Sequence, residues 1–160
     1  MAPVDRYDSL FQYYAGVYDP GIVLPFWGIL KAQAKAESFE KGDFNPDAVS
    51  IVGAKGLAQF MDTTWQEWRD GTPGIQPVPN PSKFNPFNPE QCIRAQAAYM
   101  SWLMKQLDKD IAYALMAYNW GVGNVQKYRI NAISSLPQET KGYVTRIFGY
   151  LNASIPMHIH

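Results

Sequence analysis

Between Asp70 and Pro89 the chain places six prolines and two glycines within twenty residues. Proline removes a backbone donor and locks φ, so neither a helix nor a strand interior survives in such a stretch. Residues 70–89 therefore read as a long surface loop separating two regular stretches of chain. Of 160 residues, 47% are apolar and 14% aromatic, which is enough to bury one sizeable core and not two. The expectation is a single domain over 1–160, with the loop inside it.

In both regular stretches the apolar residues recur at helical spacing. Pro25 suits a first helical position, and Phe26, Leu30, Ala34 and Glu37 follow on one face. The turn-forming residues of 40–53 predict a stop just after Glu37. Short helices are expected over 54–61 and 63–69. Asn88, Pro89 and Glu90 supply an N-cap, a first-turn proline and an early acid. The helix they open has apolar positions Ile93, Ala97, Met100, Leu103, Met104 and Leu107. Asp108 or Asp110 can cap the next helix, running to about Asn119. Gly121 and Gly123 mark a turn before 124–132, and Ser135, Pro137 and Glu139 open a last helix to about Ala153. Strand-like alternation is nearly absent, so the expected class is mainly α.

Several functions are disfavoured by composition. Fourteen Lys and Arg balance fourteen Asp and Glu, so the basic excess that binds a phosphate backbone is missing and nucleic acid is not an expected partner. A single cysteine, Cys92, excludes an internal disulfide, and histidines only at 158 and 160 leave no zinc cluster. Without a histidine in a regular segment to activate it, Cys92 reads as a small buried hydrophobe. The longest apolar run, 21–30, is interrupted by Pro25 and is about half the ~20 residues a membrane span needs. Met1 to Leu10 carries Asp5, Arg6 and Asp8 where a secretory signal would need a basic head and an apolar stretch. No membrane span and no export signal are expected.

One residue stands out for chemistry. A carboxylate on the apolar face of a helix is costly unless paired or protonated, and Glu37 also lies at a helix C-terminus, where the macrodipole is negative. Both effects raise its pKa toward the range a general acid needs. The competing reading is a solvated glutamate at a frayed helix end.

The surroundings carry a resemblance. Ala36-Glu37-Ser38, Phe44-Asn45-Pro46-Asp47-Ala48-Val49-Ser50 and Gly53-Ala54-Lys55-Gly56-Leu57-Ala58-Gln59-Phe60 form a first block. Residues 114–125, Ala-Leu-Met-Ala-Tyr-Asn-Trp-Gly-Val-Gly-Asn-Val, form a second, and Glu139-Thr140-Lys141-Gly142-Tyr143-Val144 a third. In this order they resemble the soluble lytic transglycosylase family (SLT domain, glycoside hydrolase family 23), whose fold is similar to goose-type lysozyme.

The resemblance implies a single-domain lysozyme-like fold with a substrate cleft. It also implies a cofactor-free, metal-free enzyme acting on the glycan strands of bacterial peptidoglycan between N-acetylmuramic acid and N-acetylglucosamine. Glu37 would protonate the glycosidic oxygen and then deprotonate the muramyl C6 hydroxyl, which closes onto C1 to leave a 1,6-anhydro end. The substrate's own acetamido group would assist. Ordinary retaining and inverting glycosidases instead use two carboxyl groups. By the same resemblance Ser50 and Gln59 would hydrogen-bond the sugar beside Glu37, and Tyr118, Asn119 and Tyr143 would line the cleft. Trp27, Trp65 and Trp102 are assigned to core packing, whereas Trp120 is open to either core or cleft.

Two departures from the family pattern stand out. The loop after Glu-Ser is longer by about four residues, 39–43, which makes Glu40 a rival to Glu37, although Glu40 lies off the apolar stripe. Ala58 stands where many members carry methionine. Two other functions compete: a hydrolytic muramidase like goose-type lysozyme, with Asp43 or Asp62 orienting water, and an inert wall-binding or virion module. The expected setting is a bacteriophage lysis or virion-associated enzyme, a monomer made in the host cytoplasm and acting on the wall from the periplasm or from the virion. Zero net charge leaves wall targeting to the cleft itself.

Overall fold

Capping residues, prolines and glycines set where each helix begins and ends, and the apolar stripes decide how the helices pack. The structure, a computed structural model, describes residues 3–71, 84–154 and 156. After a 3-10 turn at Pro3–Asp5 come α1 (Asp8–Val17), α2 (Phe26–Ser38), β1 (Phe39–Glu40), β2 (Asp43–Phe44) and α3 (Asp62–Trp68). Beyond the Pro-rich stretch follow α4 (Pro89–Gln106), α5 (Ile111–Trp120), α6 (Val122–Arg129) and α7 (Gln138–Tyr150). Most of the expected 70–89 loop, together with His158 and His160, lies outside the described residues.

α4 forms where its signals predict. Asn88 caps it by accepting from Gln91 N at 3.0 Å, Pro89 occupies the first turn, and all six of its expected apolar positions are fully buried. Burying each of the five Ile, Leu and Met side chains among them stabilises by about 1.5–3 kcal/mol. α5, capped by Asp110 through Tyr113 N at 2.8 Å, buries Ala112, Ala114, Leu115, Met116 and Ala117. Wrapped by α4, α6 and α7, it lies at the centre of the helical layer. α1 and α7 flank α2, and one continuous buried cluster joins all of them.

Two expectations need correction, and one helix goes beyond them. α1 forms in a stretch for which no helix is expected, its Leu10, Phe11, Tyr14 and Ala15 recurring at helical spacing with Phe11 fully buried. No helix spans 54–61. Instead Lys55 makes isolated antiparallel bridges with Val49 and Phe60, and Gly56 and Gln59 have φ of 82° and 52°, which no right-handed helix accommodates. Gly56 is also pressed against the Pro86 carbonyl so closely that a Cβ would collide with it. Finally, the long loop after Glu37 is a β-hairpin, with Phe39 opposite Phe44 and positive φ at Lys41 and Gly42. Two successive positive φ values suit a tight hairpin turn. Phe44 is buried against Phe39, Tyr7 and Phe11, and Asp43 pairs with Arg6 at 2.9 Å. The extra residues thus fasten the end of α2 to the N-terminal segment.

Candidate active site

Helix α2 delivers Glu37 in its last turn, and the next residue holds the opposite wall in place. Ser38 Oγ lies 3.1 Å from Ala34 O and 2.8 Å from Leu57 O, so its one proton ties the helix end to the bridged loop 48–60. That loop, α5 and the start of α7 close around a cavity of about 250 Å³ lined by Glu37, Ser50, Gln59, Tyr118, Asn119 and Glu139, with Val52, Ala54 and Met61 supplying apolar surface. Gln59, Met61 and Tyr118 continue into a smaller recess bounded by Phe60, Thr64 and Tyr99.

Glu37 is partly open to this cavity but otherwise enclosed by protein. Loss of water raises its pKa to about 7, with Glu139 adding to the rise, while the Tyr143 hydroxyl and the Arg146 charge oppose it. A carboxyl raised into this range can both give and take a proton near neutral pH.

The polar residues around it each have one half committed. Ser50 Oγ accepts from Ala54 N at 3.0 Å, leaving its hydroxyl proton to donate. Gln59 sends its amide nitrogen to Ala48 O (3.1 Å) and Gly56 O (2.9 Å), leaving its oxygen as an acceptor. These two bonds also hold the strained positive φ of this non-glycine residue. Asn119 Oδ1 accepts from Thr140 Oγ1 at 2.8 Å, so its amide nitrogen is the free half. Tyr118 donates to Ala58 O at 2.8 Å and presents an aromatic wall. The arrangement suits a ligand rich in hydroxyl and amide groups around an apolar ring.

Five of the six expected site residues therefore line one cavity. Tyr143 stands apart from them: it is buried, at 2% exposure, and its hydroxyl interacts with Glu37 from the protein side. It does not line the cavity. Trp120 is absent from the lining and packs edge-on to Tyr128. Trp65 is buried, Trp102 lies tilted against Trp68, and Trp27 is only partly buried, over an apolar hollow elsewhere on α2. Glu40 is exposed on β1 and accepts from Asn45 Nδ2. Asp43 and Asp62 are held by Arg6 and Lys55 and do not line the cavity. The second acid that does is Glu139, which the sequence marks as part of the third block and of a helix start but not as a site residue. Cys92 is fully buried, its thiol pushed up to about 12 by loss of water, and it cannot act as a nucleophile near neutral pH. Among the described residues no His, Cys, Asp and Glu group is arranged to hold a metal ion, and no helix is long and apolar enough to cross a membrane.

Comparison with known proteins places these elements in context. Residues 27–139 match the family model described as Transglycosylase SLT domain. The membrane-bound lytic murein transglycosylase F of Pasteurella multocida is 32% identical over 126 residues, covering 75% of this chain and 21% of the relative. The soluble lytic murein transglycosylase of Escherichia coli K12 is 28% identical over 157 residues, covering 90% and 22%. Among solved structures, the 70 kDa soluble lytic transglycosylase of Escherichia coli superimposes with a TM-score of 0.71 at 28% identity, over 91% of this chain and 23% of that one. The chain thus spans about a fifth of the length of the curated relatives it matches.

Proposed function

Because this chain belongs to the Transglycosylase SLT domain family, we propose that it is a peptidoglycan lytic transglycosylase. Its reaction cleaves the β-1,4 bond between N-acetylmuramic acid and N-acetylglucosamine and leaves a 1,6-anhydro-muramyl end. The observation that carries this reading is Glu37: one partly desolvated carboxyl with a pKa near 7, in a cavity whose polar walls are already oriented. Protonated, it donates to the glycosidic oxygen as the C1–O bond breaks. As the resulting carboxylate, it takes the C6 hydroxyl proton while the C6 oxygen bonds to C1. Atoms balance without water, and Glu37 ends as it began.

The half-committed groups support the same substrate. Ser50 and Asn119 are free to donate to an acetamido carbonyl or ring hydroxyl, Gln59 Oε1 accepts, and Tyr118 can stack on a sugar face. The test is release of soluble muropeptides from purified peptidoglycan. Glu37→Gln is expected to be silent and Glu40→Gln active; retained activity in Glu37→Gln refutes the assignment.

One observation favours a second reading. Glu139 lines the same cavity and acts electrostatically on Glu37, which supports a reading in which it orients a water for hydrolysis and the protein is a muramidase. Reducing muramyl ends that disappear in Glu139→Gln would establish it. The bacteriophage setting is a separate proposal, checked by the neighbours of the source gene: lysis or virion genes are expected, and bacterial wall-turnover genes would contradict it.

A further inference from the structure

Two fully buried glutamines, Gln33 on α2 and Gln96 on α4, are unexplained by packing. Gln96 Nε2 donates to the backbone Leu30 O at 3.0 Å and to Gln33 Oε1 at 2.8 Å. Gln33 Nε2 donates in turn to Tyr143 Oη at 2.9 Å and approaches Met100 Sδ at 3.4 Å. Gln96 Oε1 is buried with no partner. Apolar side chains of similar size would fill this space without stranding an acceptor, so the network is poorly explained as a device for stability.

Its direction is what it does determine. A backbone carbonyl can only accept, so Leu30 O fixes which end of the Gln96 amide faces α2. Gln33 must then turn its oxygen to Gln96 and its nitrogen to Tyr143, and an amide nitrogen can only donate. The Tyr143 oxygen is thereby made an acceptor on its buried side, which frees its own proton to be donated elsewhere, and the Glu37 carboxyl is the acidic group with which its hydroxyl interacts. We propose that Gln33 and Gln96 are positioning residues that act through Tyr143, holding its hydroxyl as a donor to the Glu37 carboxyl. This rests on the reading of Glu37 as acid and base. When Glu37 becomes the carboxylate midway through the reaction, the directed donor steadies that charge; when it is protonated, the same donor must loosen.

Glu37 is faced by Tyr143, Arg146 and Glu139 from α7, and Tyr118 and Cys92 are coupled to it from α5 and α4. Of these, the proposal changes only Tyr143. The experiment is a ¹³C carboxyl titration of Glu-labelled protein, with the Glu37 signal identified by its loss in Glu37→Gln, alongside the pH dependence of kcat on peptidoglycan. Tyr143 donation favours the ionised form, so Gln33→Leu should raise the Glu37 titration by about 0.5–1 pH unit. The alkaline limb of kcat should move with it, with KM within roughly twofold. Gln96→Leu, which lets the Gln33 amide turn over, should give a smaller shift in the same direction. Tyr143→Phe should shift it at least as far as Gln33→Leu, and the double variant no further than Tyr143→Phe alone.

A lowered Tm with an unmoved titration in Gln33→Leu, or additive shifts in the double variant, would overturn the proposal. If Gln33→Leu does not fold, an unmoved titration in Gln96→Leu does the same. An active Glu37→Gln would defeat the acid/base reading itself, whereas the titration reports on the relay independently.

Discussion

The last turn of α2 and the hairpin directly after it each present a glutamate, three residues apart, and their surroundings treat the two in opposite ways. Glu37 is carried by a helix whose neighbours, α5, α7 and the bridged loop, exclude most water from it, and its pKa rises to about 7. Glu40 stands exposed on a two-residue strand with Asn45 as its partner. Neither charge nor sequence proximity separates them; enclosure does. The raised carboxyl that the proposed acid/base chemistry needs comes from a helix end that three other segments cover, and a hairpin edge with water on one side does not supply it.

The largest expected consequence is in activity. Glu37→Gln should reduce glycan cleavage by about 10²–10⁴-fold, the usual worth of a positioned acid/base, and Glu40→Gln should leave it within roughly twofold, both measured by muropeptide release. If both variants lose activity equally, enclosure is not what distinguishes them.

Next in size is the loop that encloses Glu37. Gly56→Ala puts a Cβ against the Pro86 carbonyl at a φ of 82° and should cost about 3 kcal/mol or more in chemical denaturation, with activity falling as the loop shifts.

A smaller effect, of opposite sign, concerns Glu37 itself. Its folded pKa lies above its unfolded value of 4.5. The folded state therefore binds its proton more tightly, and this contribution to stability is complete below about pH 4.5 and lost as pH rises through about 7. Glu37→Gln should accordingly stabilise the fold by about 1–3 kcal/mol at pH 8, with the difference vanishing near pH 4, as thermal melts at the two pH values would show. A melt that is equally changed at both would mean that Glu37 is not desolvated. Least of all, Arg6→Ala removes an exposed ion pair to Asp43 on the hairpin and should cost no more than about 1 kcal/mol, leaving the Glu37 titration unmoved.

Much of this contrast was legible in the residues because it is periodic. Phe26, Leu30, Ala34 and Glu37 share a stripe, and the cap and apolar positions of α4 predicted its start and its buried face. What escaped depends on contacts between distant segments. The 54–61 stretch has the composition of a short helix, yet the Pro86 carbonyl fits only against Gly56, and Gln59 adopts a positive φ because its amide is held by Ala48 and Gly56. Gln33 and Gln96 resemble ordinary polar helix residues until their 63-residue separation closes to 2.8 Å. Glu139 was visible as part of a motif, but its place in the cavity follows from how α7 crosses α2 and α5.

The most direct test of the account is the mass of the muramyl ends released from purified peptidoglycan by the wild-type chain and by Glu37→Gln. Ends lighter by one water than hydrolysis products, and absent with the variant, are what a single enclosed carboxyl acting as acid and then base predicts. Reducing ends, or product from Glu37→Gln, would contradict it.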